Sequence, residues 1–415
     1  MRSRCFNFCL IGIALVALWG IRPPKLVGAV LQVGPGRAFA SIARAVRAAH
    51  PGDTIKVWPQ PGNRPYRRVA ILMKKPRITI EGAIPGRYIT MNGAGFDYSG
   101  RMPTPRAIFQ FDPTASGCVL SGFALTGAHN RDGNGAGVRI NGANHVTIRS
   151  CQIYGNDMGI MSNGSYARHT GAYQLIENCR ITRNGTHVHA GYNHNLYLGG
   201  TSVLVRGCDI SDSITGHNLK SRAHITWVEY CYLHGSANRE MDFVDSRGIT
   251  DQPHSDAVVL GCVIVKKRNM SGNREVINFG RDGNANHTGT LYLVHDTIVT
   301  PYYTSAVVLS APGAHLKMID NQFINSSHKA LLLAFMFGAL RTHIRGAGNL
   351  FSAAYQPAAR RFGGAMIRWK KISLPWRRLD MHPQPLMRYA GLGKLRRFTH
   401  PQPGAGAAVP QGRHR

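Results

Sequence analysis

The sequence predicts an all-β chain: one single-stranded, right-handed parallel β-helix, with an N-terminal helical cap and an irregular C-terminal tail. Three observations predict it. A short strand motif recurs at intervals of 23 to 34 residues, five cysteines occupy one position of that motif, and the composition combines 47 glycines with only 17% charged residues. A period in this range marks a solenoid, and β-branched units that alternate inside and outside are strands rather than helix pairs.

The motif reads apolar, x, x, small or thiol, x, apolar. It runs Ile148 to Ile153, Ile176 to Ile181, Val205 to Ile210, Val228 to Leu233 and Val259 to Ile264 around Cys151, Cys179, Cys208, Cys231 and Cys262. Without cysteine it continues at Leu120 to Leu125, Leu293 to Ile298, Met318 to Phe323, and Ile344 with Phe351. One coil cannot bury its own apolar side, whereas stacked coils share a continuous core. The five aligned cysteines should stack ~4.8 Å apart with parallel side chains. A disulfide needs closer, twisted Cβ atoms, so a buried thiol ladder is expected over a disulfide framework.

The remaining segments complete the plan. Residues 1–29 read as an export leader, with basic Arg2 and Arg4, an apolar run from Leu10 to Trp19 and small residues at Val27-Gly28-Ala29. The run is shorter than the ~20 apolar residues of a membrane span, so no stable membrane insertion is expected. Residues 30–53 should form a strand and an amphipathic helix from Phe39 to Ala49, capping the open end of the coil. Residues 54–351 form the β-helix. Residues 352–415 hold thirteen Lys or Arg against one acid, Asp380, interleaved with Tyr355, Trp369, Trp376 and Tyr389; a C-terminal cap or strap, disordered at its end, is expected.

A net charge of +30 calls for an anionic partner. An exported chain, secreted or periplasmic, meets acidic polysaccharide rather than nucleic acid. A monomer is expected.

The opening Ile42-Ala-Arg-Ala-Val46, His50-Pro-Gly-Asp-Thr-Ile55 and Ile78-Thr-Ile-Glu-Gly82 resembles the start of pectate-lyase-like right-handed β-helix proteins. The resemblance covers the coil from about 54 to 351 and implies the fold. The superfamily includes lyases, hydrolases, epimerases and non-catalytic proteins, so the fold leaves the activity open.

The chemistry-bearing residues fall on a second strand of each coil. His194-Asn195-Leu196 and His217-Asn218-Leu219 both lie about a dozen residues before a ladder cysteine and should stack in register. With Leu196 and Leu219 inward, alternation turns Asn195, Tyr197, Asn218, Lys220 and Arg222 outward. The next rungs, Met241 to Val244 and Ile277 to Phe279, would add Glu240, Asp242 and Asn278 to the same outer face.

Three functions stay open. In β-elimination or C5 epimerisation of a uronate, Lys220 is the base, its proton released by neighbouring cations or by burial. Arg222 or Arg239 neutralises the carboxylate, and Tyr197 or His217 protonates the leaving oxygen. Asn195, Asn218, His194, Arg239 and Asn278 bind substrate. The Lys and Arg pairing resembles that of alginate and dermatan-type (chondroitin) lyases on this fold. In the second reading, Glu240 and Asp242 are the acid and base of an inverting glycosidase, because residues i and i+2 stand ~7 Å apart along a strand. In the third, the face is a non-catalytic glycan-binding or envelope scaffold. No cofactor is required, although Glu240, Asp242 or Asp245 could hold Ca²⁺ without the spacing of an EF-hand.

Overall fold

The computed structural model describes residues 28–100, 104–302, 304–325 and 343–352, and the backbone alone of strands Ala334–Met336 and Ala365–Met366. Among the described residues three parallel sheets stack along the coil, of twelve, ten and twelve strands, and each strand inside a sheet pairs with its counterpart one coil earlier and one coil later. This is the right-handed parallel β-helix. The first sheet runs from Val30–Val33 to Ile344–Ala347, the second from Ile71–Met73 to Ala334–Met336, and the third from Tyr66–Arg67 to Ala365–Met366. Inward residues fill one core from Val33 to Phe351, nearly all fully buried.

At the N-terminal end, the strand Val30–Val33 lies on Thr54–Val57 in register. The helix, α1, spans Ile42–Ala48, starting later than its apolar pattern implies because the Ser41 side chain accepts the Arg44 N–H at 3.4 Å and caps it. Ile42, Ala45 and Val46 are buried against the open end of the coil. Of residues 1–29, read from the sequence as an export leader, only 28 and 29 are described. The C-terminal tail lies outside the described residues except Ser352 and Ala365–Met366, which pairs with Leu350–Phe351 and carries the third sheet one strand beyond 351. No described helix is long and apolar enough to cross a membrane.

Two internal ladders line the turns. In the first, Cys151, Cys179, Cys208, Cys231 and Cys262 are buried and unbridged. The backbone N–H of Cys179 points at Cys208 Sγ (3.5 Å), that of Cys208 at Cys231 Sγ (3.4 Å) and that of Cys231 at Cys262 Sγ (3.4 Å). Where the cysteines stop, the column continues as Asp296, Asn321 and Asn349. Cys262 N–H donates to Asp296 Oδ1 at 2.8 Å, Asp296 N–H to Asn321 Oδ1 at 2.8 Å and Asn321 N–H to Asn349 Oδ1 at 3.0 Å. The position therefore requires a small acceptor for the preceding coil's N–H, which thiol, carboxyl and amide all provide.

The second ladder corrects the outer-face assignment of Asn195, Asn218 and Glu240. All three are fully buried. Each precedes its strand at a bend, where alternation does not yet apply, and the side chain turns inward. Asn156 donates to Asn184 (3.0 Å), Asn184 to Asn195 (2.9 Å), Asn195 to Asn218 (2.8 Å) and Asn218 to Glu240 Oε2 (2.6 Å). The chain of amides ends on a carboxylate, with buried Lys266 Nζ 4.0 Å from Glu240 Oε1 and donating to the Asn238 carbonyl. Burial raises the Glu240 carboxyl to about 7 and lowers the Lys266 ammonium to about 8. The spacing argument for Glu240 and Asp242 as an acid and base on one face falls with this placement: the former faces the core and the latter the surface.

Candidate functional site

The outer face of the second sheet carries the polar cluster. Strand register aligns Gln110, Arg139, Met161, Tyr197, Lys220, Asp242 and Asn278 in one column. Residues more than twenty positions apart along the chain thus become neighbours about one strand spacing apart.

Asp242 is the hub, 1% exposed. Its Oδ1 accepts from Arg239 Nη1 at 3.2 Å and Asn278 Nδ2 at 3.0 Å. Its Oδ2 lies 3.2 Å from His217 Nε2 and 3.4 Å from Lys220 Nζ. Both oxygens are engaged twice, so Asp242 holds its neighbours in place. Ser310 Oγ donates to Asn278 Oδ1 at 2.9 Å, and Arg239 Nη2 also reaches Glu275 at 3.6 Å. Arg239 and Asn278 are therefore tied into the hub.

His194 and His217 stack at 5.0 Å between ring centroids, and His194 Nδ1 accepts the His217 backbone N–H at 3.0 Å. Burial holds both imidazoles well below their usual range. His217 and Lys220 reinforce this for His194, and Lys220, Arg239 and Lys266 for His217. The two rings are neutral donors and acceptors within the cluster.

Burial likewise lowers His287, at the end of the loop beside this site, to about 4. Between about pH 6.5 and 4 the unfolded chain binds a proton that folded His287 does not. This histidine therefore contributes stability above its unfolded pKa and loses it as pH falls. Burial raises Glu240 and Asp296, which act in the opposite sense. The contribution is isolated by comparison with His287→Gln. Between about pH 7 and 5, the parent should lose about 2 kcal/mol more in urea unfolding than the variant. Parallel curves would refute it.

Lys220 and Arg222 converge on one atom. Asp282 Oδ2 stands 2.5 Å from Lys220 Nζ and 2.7 Å from Arg222 Nη2. Asp282 is 41% exposed, on the loop after strand Ile277–Gly280. Asp245 fastens that loop by accepting the N–H groups of Asp282 (2.6 Å), Gly283 (2.8 Å) and Ala285 (2.8 Å). Burial would raise the Asp245 carboxyl, but these donors outweigh it and hold it below the usual range. Arg222 Nε donates to the Tyr197 hydroxyl oxygen at 3.0 Å, leaving the phenol's own proton free to point elsewhere. Beside Tyr197 and Arg222 opens a groove of about 270 Å³, also lined by Arg139, Asn141, Ser162 and Asn163.

The charged groups in contact with Lys220 are the carboxylates of Asp242 and Asp282, and Arg222 shares the Asp282 oxygen with it. The carboxylates considered for Ca²⁺ do not converge: Glu240 faces the core, Asp242 is capped by side-chain donors and Asp245 by backbone N–H groups. That set does not fit the ion, and no described group of three or more His, Cys, Asp or Glu does.

Arg139 and Asp282 escaped the sequence reading. Arg139 was legible in principle, since Val138 and Ile140 are inward and the outward column extends back through Met161. Asp282 sits in a non-repeating loop, where Asp282-Gly283 reads only as a turn.

No family profile and no curated protein matches the chain. Among solved structures, pectate lyase Pel9A is similar at a TM-score of 0.44 with 14% identity, over 78% of this chain and 74% of that one. Carrot pectin methylesterase is similar at 0.42 with 12% identity, over 83% and 89%. A family PL6 alginate lyase is similar at 0.33 with 14% identity, over 82% and 54%.

Proposed function

We propose that this β-helix protein is exported and acts on an acidic polysaccharide by β-elimination or C5 epimerisation, at the outer face of the second sheet. One observation carries the reading: a single carboxylate oxygen, that of Asp282, is already held between Lys220 and Arg222. A uronate carboxylate has the same charge and shape and would take that place, with Arg139 lining the groove beyond it. Lys220 and Arg222 then act as a clamp that stabilises the enolate-like charge formed when C5 loses its proton.

The proton falls to Tyr197, next to the clamp. With its oxygen supported by Arg222 Nε and its own proton first released to solvent, Tyr197 takes the C5 proton. The C4–O4 bond breaks, the C4=C5 double bond forms, and the same phenol returns the proton to O4. Epimerisation shares the first step and returns a proton to C5 from the opposite side. Lys220 is the clamp rather than the base because two carboxylates already attend it.

Incubation with alginate, pectate and glycosaminoglycans tests the reading through the absorbance of unsaturated uronate, or through solvent deuterium entering at C5. Asp282→Ala vacates the clamp and should tighten oligouronate binding several-fold. Binding that weakens in Asp282→Ala, or the absence of both conversion and exchange with every polymer, would refute it.

A further inference from the structure

A second binding feature lies around the corner from the groove, on the turn into the first sheet. The strands Val119–Ser121, Thr147–Arg149 and Gln174–Glu177 stack with Val119, Thr147 and Leu175 in register. Two residues before each, the chain bends through a left-handed position occupied by Gly117 (φ 73°), His145 (φ 55°) and Tyr173 (φ 54°). Glycine suits that position at no steric cost, and a bulky side chain there costs of order 1 kcal/mol. Two successive coils nonetheless carry rings. His145 and Tyr173 stack at 4.7 Å with an interplanar angle of 15°, and Tyr173 is 40% exposed.

Beside this platform is a groove of about 350 Å³, lined by Asn144, His169, Tyr173, Thr201 and Ser202 among others. It draws on the same four coils as the catalytic-face groove: Asn144 follows Asn141, His169 follows Gly164, Thr201 follows Gly200 and Ile225 follows Arg222. A polymer crossing the coil axis at the clamp would run over this turn next.

We propose that the His145–Tyr173 platform and its groove are a second saccharide subsite, taking a pyranose unit of the same chain several units from the clamp. The apolar C–H face of the sugar rests on the exposed ring, and the polar side chains of the groove meet its hydroxyls. The inference rests on the carbohydrate reading of the clamp.

The test compares a uronate trisaccharide with an octasaccharide by calorimetry on the full chain. Tyr173→Gly and His145→Gly suit the left-handed backbone and should keep or raise thermal stability. Each should weaken octasaccharide binding about tenfold while leaving the trisaccharide unchanged, and Tyr173→Phe should retain parental affinity. If both sugars bind and neither glycine variant alters the length preference, the subsite is overturned and the clamp stands. If the parent binds neither sugar, the clamp reading fails and takes the subsite with it.

Discussion

Tyr197→Phe should lower elimination by roughly two to four orders of magnitude, the usual contribution of a positioned proton-transfer group, while oligouronate affinity stays near parental. The substitution removes one hydroxyl from a half-buried ring and leaves Lys220, Arg222 and Asp282 in place. Arg222 loses the hydrogen bond to the phenol oxygen and keeps its contacts with Asp282 and the Asp245 carbonyl. The split between turnover and binding is therefore the diagnostic, read from unsaturated-product formation and from calorimetry on the same preparation. Lys220→Ala should show the other pattern, with binding and turnover falling together, because the clamp holds the carboxylate in the ground state and holds the enolate-like charge more strongly in the transition state. A variant Tyr197→Phe with parental turnover would remove the phenol from the mechanism and return proton abstraction to Lys220.

The coil itself was legible because its cause is local and repeats. Every Cys, Asp or Asn of the thiol column must be small and accept an N–H, so the same chemistry recurs at Cys151 through Cys262 and on to Asp296, Asn321 and Asn349. Strand register made Tyr197, Lys220, Asp242 and Asn278 neighbours for the same reason. Alternation failed one residue upstream. Asn195, Asn218 and Glu240 lie at a bend just ahead of their strands, and a rule of period two says nothing about side chains before the strand begins. The recurring His-Asn-Leu triplet carried the clue in another form: an asparagine repeated at one turn position suits a hydrogen-bonded stack as well as a surface. Asp282 had no comparable signal, because its position depends on Asp245 gathering three loop N–H groups, a contact across coils with no periodicity.

The end of the asparagine ladder is where a single change should cost the fold most. Glu240→Ala removes the acceptor for Asn218 and leaves Lys266 as a buried cation without its counter-charge. Loss of one partner from such a pair typically costs about 3–5 kcal/mol. Lys266→Met alone leaves Glu240 with its hydrogen bonds from Asn218 and the Ser236 N–H, at 2.6 and 3.1 Å, and should cost less. The double change Glu240→Gln with Lys266→Met retains an acceptor for Asn218, removes both charges and replaces the amine with an apolar chain of similar length. It should recover most of the stability, because two desolvated charges repay their burial poorly. Urea unfolding of Glu240→Gln, Lys266→Met and their double variant, read as a double-mutant cycle, measures the coupling. Since Glu240 faces the core, the folded double variant should also turn over substrate at the parental rate. A coupling near zero would mean that the two groups do not sense each other, and a folded double variant without activity would put Glu240 back among the residues that touch substrate.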